Sequence, residues 1–208
     1  MKLFLASSLN ESAVLLPKVL HLDLNGKKVL FSANAADDYK TDKWWVRADR
    51  EAFIKLGAEV VDIDFRSLSR DDFLAHLKGS FAIHFCGGSV LYLISLLKEK
   101  DFVGLLVDAV KKEKIIYSGT SAGSMIVSKD LILSKLDSDE KAYLDRVKDY
   151  SGLGLVDFMV IPHTDNASFA ESNAEMVKAL PEYPQALILL NDKQVAWVQD
   201  GKVEILSA

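Results

Sequence analysis

Gly119-Thr120-Ser121-Ala122-Gly123 sets a hydroxyl between two glycines, directly after the apolar run Lys114–Tyr117 and before the helical pattern that opens at Ser124. G-x-S-x-G between a strand and a helix is the spacing of a nucleophile elbow. The glycines let neighbouring backbone close in while the serine Oγ stands at the tip of a sharp turn. The helix that follows aims its N-terminus at the same point, so the Ala122 N–H is a candidate to hold a developing oxyanion. Cys86-Gly87-Gly88-Ser89 ends another apolar run, and its two adjacent glycines offer a second set of backbone N–H groups. Cys86 itself reads as a small packed thiol, because Ser121 holds the position shaped for attack.

A serine nucleophile needs a base, usually histidine, and an acid to orient it. Four histidines are available. His21 precedes an Asn-Gly turn, His76 sits in a charged helical stretch and His84 falls inside a strand. His163 follows the apolar run Asp157–Ile161 through Pro162, at a strand end where the chain breaks into a loop, which is the placement a base requires. Asp192, just after Ala186–Leu190, and Asp165, two residues beyond His163, are the candidate acids. With Asp192 as the acid the order is Ser, His, Asp, unlike the Ser, acid, His order of α/β-hydrolases.

The elements that must carry these residues are legible as an alternation. Lys2–Ala6, Lys28–Ser32, Glu59–Ile63, Phe81–Phe85, Lys114–Tyr117, Asp157–Ile161 and Ala186–Leu190 are short, nearly continuous apolar runs, as expected of strands covered on both faces. Amphipathic stretches at Asp42–Leu56, Asp71–Leu77, Val90–Lys98, Phe102–Lys112 and Ala167–Leu180 read as helices, and Asn10–Leu20 as a further one interrupted at Pro17. This predicts an α/β fold: a doubly wound, mainly parallel sheet with helices on both faces. Gln194–Val198 and Val203–Leu206 around Asp200-Gly201 predict an antiparallel hairpin at one edge. In such sheets ligands bind beyond the carboxyl ends of the strands, where every candidate residue lies. Asp130–Tyr150 is charge-rich and reads either as a solvated helix or as a flap.

The 208 residues fit one domain spanning 1–208. A single Cys excludes an internal disulfide and a Cys-x-x-Cys metal knuckle; no metal site or cofactor is expected, and a cytoplasmic setting is. A net charge of −5 argues against nucleic acid, and no apolar run approaches a membrane span of about 18 residues. A monomer and a homodimer both stay open.

Taken together, KIIYSGTSAGSMI, FAIHFCGGSVLYLISLLKE, GLGLVDFMVIPHTD and LILLNDKQVAWVQDGKVEIL resemble the peptidase E family of serine peptidases, which includes aspartyl dipeptidase and, more distantly, cyanophycinase. The resemblance runs through most of the chain in order. It implies a fold like the class I glutamine amidotransferase domain, Ser121 as nucleophile, His163 as base, Gly88 and Ala122 as oxyanion donors, and Asp192 where the dipeptidase has a Glu. It also implies a short peptide substrate. The family's G-G-G-N-T loop is here Cys86-Gly87-Gly88-Ser89-Val90. The helical stretch after His163, where the dipeptidase has Arg residues for an acidic P1 side chain, has no Arg or Lys before Lys178. Strict Asp-X specificity is therefore not expected. These departures also fit a non-catalytic binding or regulatory protein on the same scaffold.

Overall fold

In the computed structural model, which describes residues 1–208, the apolar runs form nine strands. They are β1 (Lys2–Ala6), β2 (Lys28–Ser32), β3 (Glu59–Ile63), β4 (Ala82–Phe85), β5 (Ile116–Thr120), β6 (Phe158–Ile161), β7 (Ala186–Leu189), β8 (Gln194–Gln199) and β9 (Lys202–Ser207). Seven make one sheet in the order β3-β2-β4-β5-β1-β8-β9. The first five are mutually parallel, β8 runs antiparallel to β1, and β9 closes the edge as the expected hairpin. Asp200 and Gly201 both take positive φ (52° and 77°), as a two-residue turn of the primed type demands.

Eight helices accompany the strands: α1 (Leu9–Ser12), α2 (Leu15–Leu20), α3 (Trp44–Lys55), α4 (Arg70–Gly79), α5 (Val90–Glu99), α6 (Val103–Lys111), α7 (Ala122–Met125) and α8 (Ala170–Lys178). The alternation of side chains along each strand divides the interior in two. Leu3 and Leu5 of β1, Ile83 and Phe85 of β4 and Tyr117 of β5 point into one core with α4, α5 and α6. Phe4, Ala6, Phe31 and Cys86 point the other way, onto α1, α2 and α3. Each large side chain withdrawn from water in this way contributes about 1.5–3 kcal/mol, so both sheet faces are strongly held.

Three features differ from the sequence expectation. Strand β5 runs on through Ser118, Gly119 and Thr120 rather than stopping at Tyr117, because β1 and β4 pair with it on both sides and buried partners satisfy its hydroxyls. Strands β6 and β7 pair with each other in a separate two-stranded parallel sheet. Residues 130–150 do not form one solvated helix. They wind through two 3-10 stretches, Ile132–Leu136 and Ser138–Arg146, the second docked on α5 by Tyr143 against Tyr92 (5.5 Å between ring centroids) and by Arg146 with Glu99. No helix is long and apolar enough to cross a membrane.

Candidate active site

The elbow at Ser121 is strained, and its neighbours explain how the strain is sustained. Ser121 has φ 50° and ψ −116°, a backbone conformation that costs of order 1–3 kcal/mol for a residue with a Cβ. The flanking glycines make the turn sterically feasible. A Cβ on Gly119 would sit 2.4 Å from the Gly123 carbonyl, and one on Gly123 only 2.1 Å from Phe85 O. Ser124 Oγ, fully buried, links the turn to the Ala6 and Gly119 carbonyls (2.8 Å each), and Tyr117 Oη donates to Gly123 O (2.6 Å). The Ser121 N–H donates to Ala6 O (3.1 Å), anchoring the elbow to β1.

Opposite the elbow, the turn after β4 brings up Gly87 and Gly88. Gly88 has φ 149°, and a Cβ there would fall 2.1 Å from Ala35 O, so only glycine fits. Gly87 lies against the elbow, since a Cβ on it would be 3.1 Å from Ser121 Cβ. Trp45 Nε1 donates to Gly87 O (3.0 Å), fixing the peptide plane whose other end is the Gly88 N–H. Ala122 begins α7, so its N–H has no partner within the helix. The two candidate oxyanion donors therefore flank Ser121.

Beyond Gly88, Glu140 accepts from Ser89 Oγ (2.6 Å), Val90 N–H (2.6 Å) and Leu91 N–H (3.0 Å), capping α5 with a carboxylate. Burial pushes its carboxyl up to about 7, against the pull of those three donors.

His163 comes from the second sheet. Strand β6 ends at Ile161, and His163 takes φ 59°, which turns its ring into the cavity. There the ring stacks on Phe169 (4.4 Å between centroids, 25° between planes). Its Nδ1 lies 2.6 Å from Asp192 Oδ1. A proton on Nδ1 facing that carboxylate leaves Nε2 with a free lone pair. Asp165 does not contact the ring; its carboxylate accepts the Asp192 N–H (3.1 Å) and so steadies the loop that carries the acid. Ser121 and His163 line the same cavity without a direct hydrogen bond, a looseness common in unliganded sites. The cavity is about 220 Å³, small against the ~300–1,000 Å³ usual for ligand sites.

All five residues singled out in the sequence thus converge: Ser121, His163, Asp192, Gly88 and Ala122. The other histidines do not. His21 is the left-handed cap of α2, His76 lies in α4, and His84 is fully buried in β4. Cys86 is also fully buried, and that burial pushes its thiol up, away from the reactive thiolate.

Two contributors were not picked out from the sequence. Ser7, at the end of β1, accepts the His163 N–H (2.8 Å) and donates to Asp192 Oδ1 (2.8 Å). Asp49, 4% exposed, accepts from Thr120 Oγ1 and faces His84 Nε2 (3.3 Å), whose Nδ1 meets Ser118 Oγ (2.9 Å). One carboxylate on α3 thereby ties together β4 and β5, the strands that deliver the glycine turn and the elbow. Trp45 adds its bond to Gly87 O. The one local signal for Ser7 was its position at a strand end; Asp49 sits on a helix and gave none.

Comparison with known proteins identifies the family and the fold. The pattern describing peptidase family S51 matches residues 3–206. An uncharacterized peptidase of Listeria innocua is 29% identical over 97% of this chain and 99% of its own length. One from Listeria monocytogenes is 30% identical over 84% of this chain and 83% of its own. A cyanophycinase from Synechococcus elongatus is 28% identical over 77% of this chain, which spans only 51% of that longer protein. Among solved structures, a Listeria monocytogenes protein described as a candidate peptidase E superposes with a TM-score of 0.90 at 24% identity, covering 100% of this chain and 98% of the other. At that identity the superposition speaks for the fold. The match over almost the whole sequence speaks for the family: this chain belongs to peptidase family S51, the family of peptidase E.

Proposed function

We propose that the protein is a serine peptidase acting on short peptides through Ser121, His163 and Asp192. The observation that carries this reading is the strained Ser121 elbow, facing across one small cavity an imidazole already oriented by a carboxylate.

Ser121 Oγ adds to the scissile carbonyl carbon while its proton passes to His163 Nε2. The carbonyl oxygen becomes an oxyanion between the N–H groups of Gly88 and Ala122, where preformed dipoles stabilise charge that appears only in the transition state. Asp192 stabilises the imidazolium. Collapse of the tetrahedral intermediate breaks the C–N bond, and His163 returns the proton to the leaving amine. A water then attacks the ester of Ser121 with His163 again as base, releasing the acid and restoring the hydroxyl. A purely binding role would leave the strain at Ser121 and the Asp192–His163 contact without a use.

The test is covalent labelling. A fluorophosphonate should modify the wild-type protein at Ser121 and leave Ser121→Ala unmodified, and that variant should lose roughly 10⁶-fold in kcat on any peptide the wild type cleaves. A wild type that stays unlabelled at high probe concentration sinks the proposal.

A further inference from the structure

The walls of the cavity beside Ser121 are aromatic and acidic. Tyr39 meets Trp45 edge to face (5.4 Å between centroids), and Trp45 meets Trp44 in the same manner (6.2 Å). Trp44 is 59% exposed and lines the same cavity. Trp45 is directly next to the nucleophile, because a Cβ on Gly87 would touch both Ser121 Cβ (3.1 Å) and Trp45 Cδ1 (3.7 Å).

Three carboxylates line the same cavity: Asp49, Asp139 and Asp192. Asp49 is held by Thr120 and His84, and Asp192 by His163 and Ser7. Asp139 is different, since only its backbone N–H is bonded, to Asp137 Oδ1 (3.0 Å), and its exposed carboxylate has no ion pair. No Lys or Arg lines this cavity or the smaller one beneath it, to which Asp137 and Glu140 add further acids. Lys43, adjacent to Trp44, turns its ammonium to the Asp37 carbonyl (3.2 Å). Burial first, and then the neighbouring Asp139, hold the Tyr39 phenol well above its usual range.

Aromatic faces beside an unpaired carboxylate attract organic cations, whereas an anionic group there would be desolvated among like charges. Resting on the peptidase reading above, we infer that Tyr39, Trp44, Trp45 and Asp139 form a subsite for a basic side chain, lysyl or arginyl, on a residue flanking the scissile bond.

Two measurements separate this inference from the activity on which it rests. The first is hydrolysis by the wild type of dipeptides Lys-Leu, norleucyl-Leu, Nε-acetyl-Lys-Leu and Asp-Leu, together with Lys-Leu capped at its α-amine. The second is calorimetric binding of the same peptides to Ser121→Ala, which needs no turnover. The lysyl peptides should be favoured over the norleucyl and Nε-acetyl peptides by about tenfold or more in kcat/KM and in affinity, with Asp-Leu poorest. Asp139→Asn should remove most of that preference. Preferential lysyl binding to Ser121→Ala without hydrolysis by the wild type would support the subsite and count against the peptidase. Equal treatment of all the peptides, a preference for Asp-Leu, a preference lost on capping the α-amine alone, or a preference that survives in Asp139→Asn would overturn the subsite.

Discussion

Glu140 makes a quantitative prediction about how stability depends on pH. Its carboxyl is buried under the N-terminus of α5, and burial raises it to about 7 from an ordinary 4.5. The folded chain therefore holds a proton that the unfolded chain has already released anywhere between these values. Stability from this group is complete below about 4.5 and is lost as pH rises through about 7. At ~1.4 kcal/mol for each pH interval, the loss amounts to about 3 kcal/mol, a substantial part of the 5–15 kcal/mol typical of a folded domain. Asp137, also raised by burial, adds in the same direction. Asp64 and Asp149, lowered by hydrogen bonds from Arg66 and Lys98, act oppositely: their contributions are lost only as pH falls below the usual carboxylate range, outside the window. Urea unfolding followed by tryptophan fluorescence between pH 5 and 8 measures the effect directly. Glu140→Gln should be less stable at pH 5, because its amide N–H₂ meets donors, but its stability should fall far less steeply with pH. If wild type and Glu140→Gln give parallel curves, the carboxyl is not protonated in the folded chain and the reasoning fails.

Asp192→Asn should lower kcat by about 10³–10⁴-fold through the wrong imidazole tautomer, with little change in Tm; a loss below tenfold would remove Asp192 from the machinery. Gly88→Ala puts a methyl 2.1 Å from Ala35 O and must displace the turn, so kcat should fall roughly 10²–10³-fold as an oxyanion donor moves away. A crystal structure of that variant with an unmoved Gly87–Ser89 backbone would contradict the expectation. Ser7→Ala leaves the His163 N–H without its acceptor and should cost about 1–3 kcal/mol of stability together with a drop in kcat, read by denaturation and steady-state kinetics.

The parts of this molecule written in local chemistry could be read from the sequence. Continuous apolar runs mark the strands, with β1, β2, β4 and β5 covered on both faces but β3 and β7 partly exposed, and Gly119 and Gly123 around Ser121 announce a turn where backbone must approach backbone. His163 and Asp192 could be found because each directly follows a strand. What stayed hidden depends on partners far away in the chain. Ser7 acts on residues 156 and 185 positions later, and a lone Ser after an apolar run has no pattern that says so. The polar end of β5 looked like loop because Thr120 and Ser118 find their partners on α3 and β4. Separation of β6 and β7 from the main sheet is likewise a matter of packing, since their apolar runs are no different from those of central strands.

That separation has a consequence for inactivation. Ser121 is carried by one sheet, and His163 and Asp192 follow strands of the other. The Ser7 hydroxyl is a direct stitch between them. Local opening requires less free energy than global unfolding, so a slight parting of the small sheet would disarm the catalyst while the seven-stranded core stayed folded. On gentle heating, turnover should vanish before the far-ultraviolet circular dichroism changes and return on cooling. Backbone amides of β6 and β7 should likewise exchange with deuterium sooner than those of β1, β4 and β5.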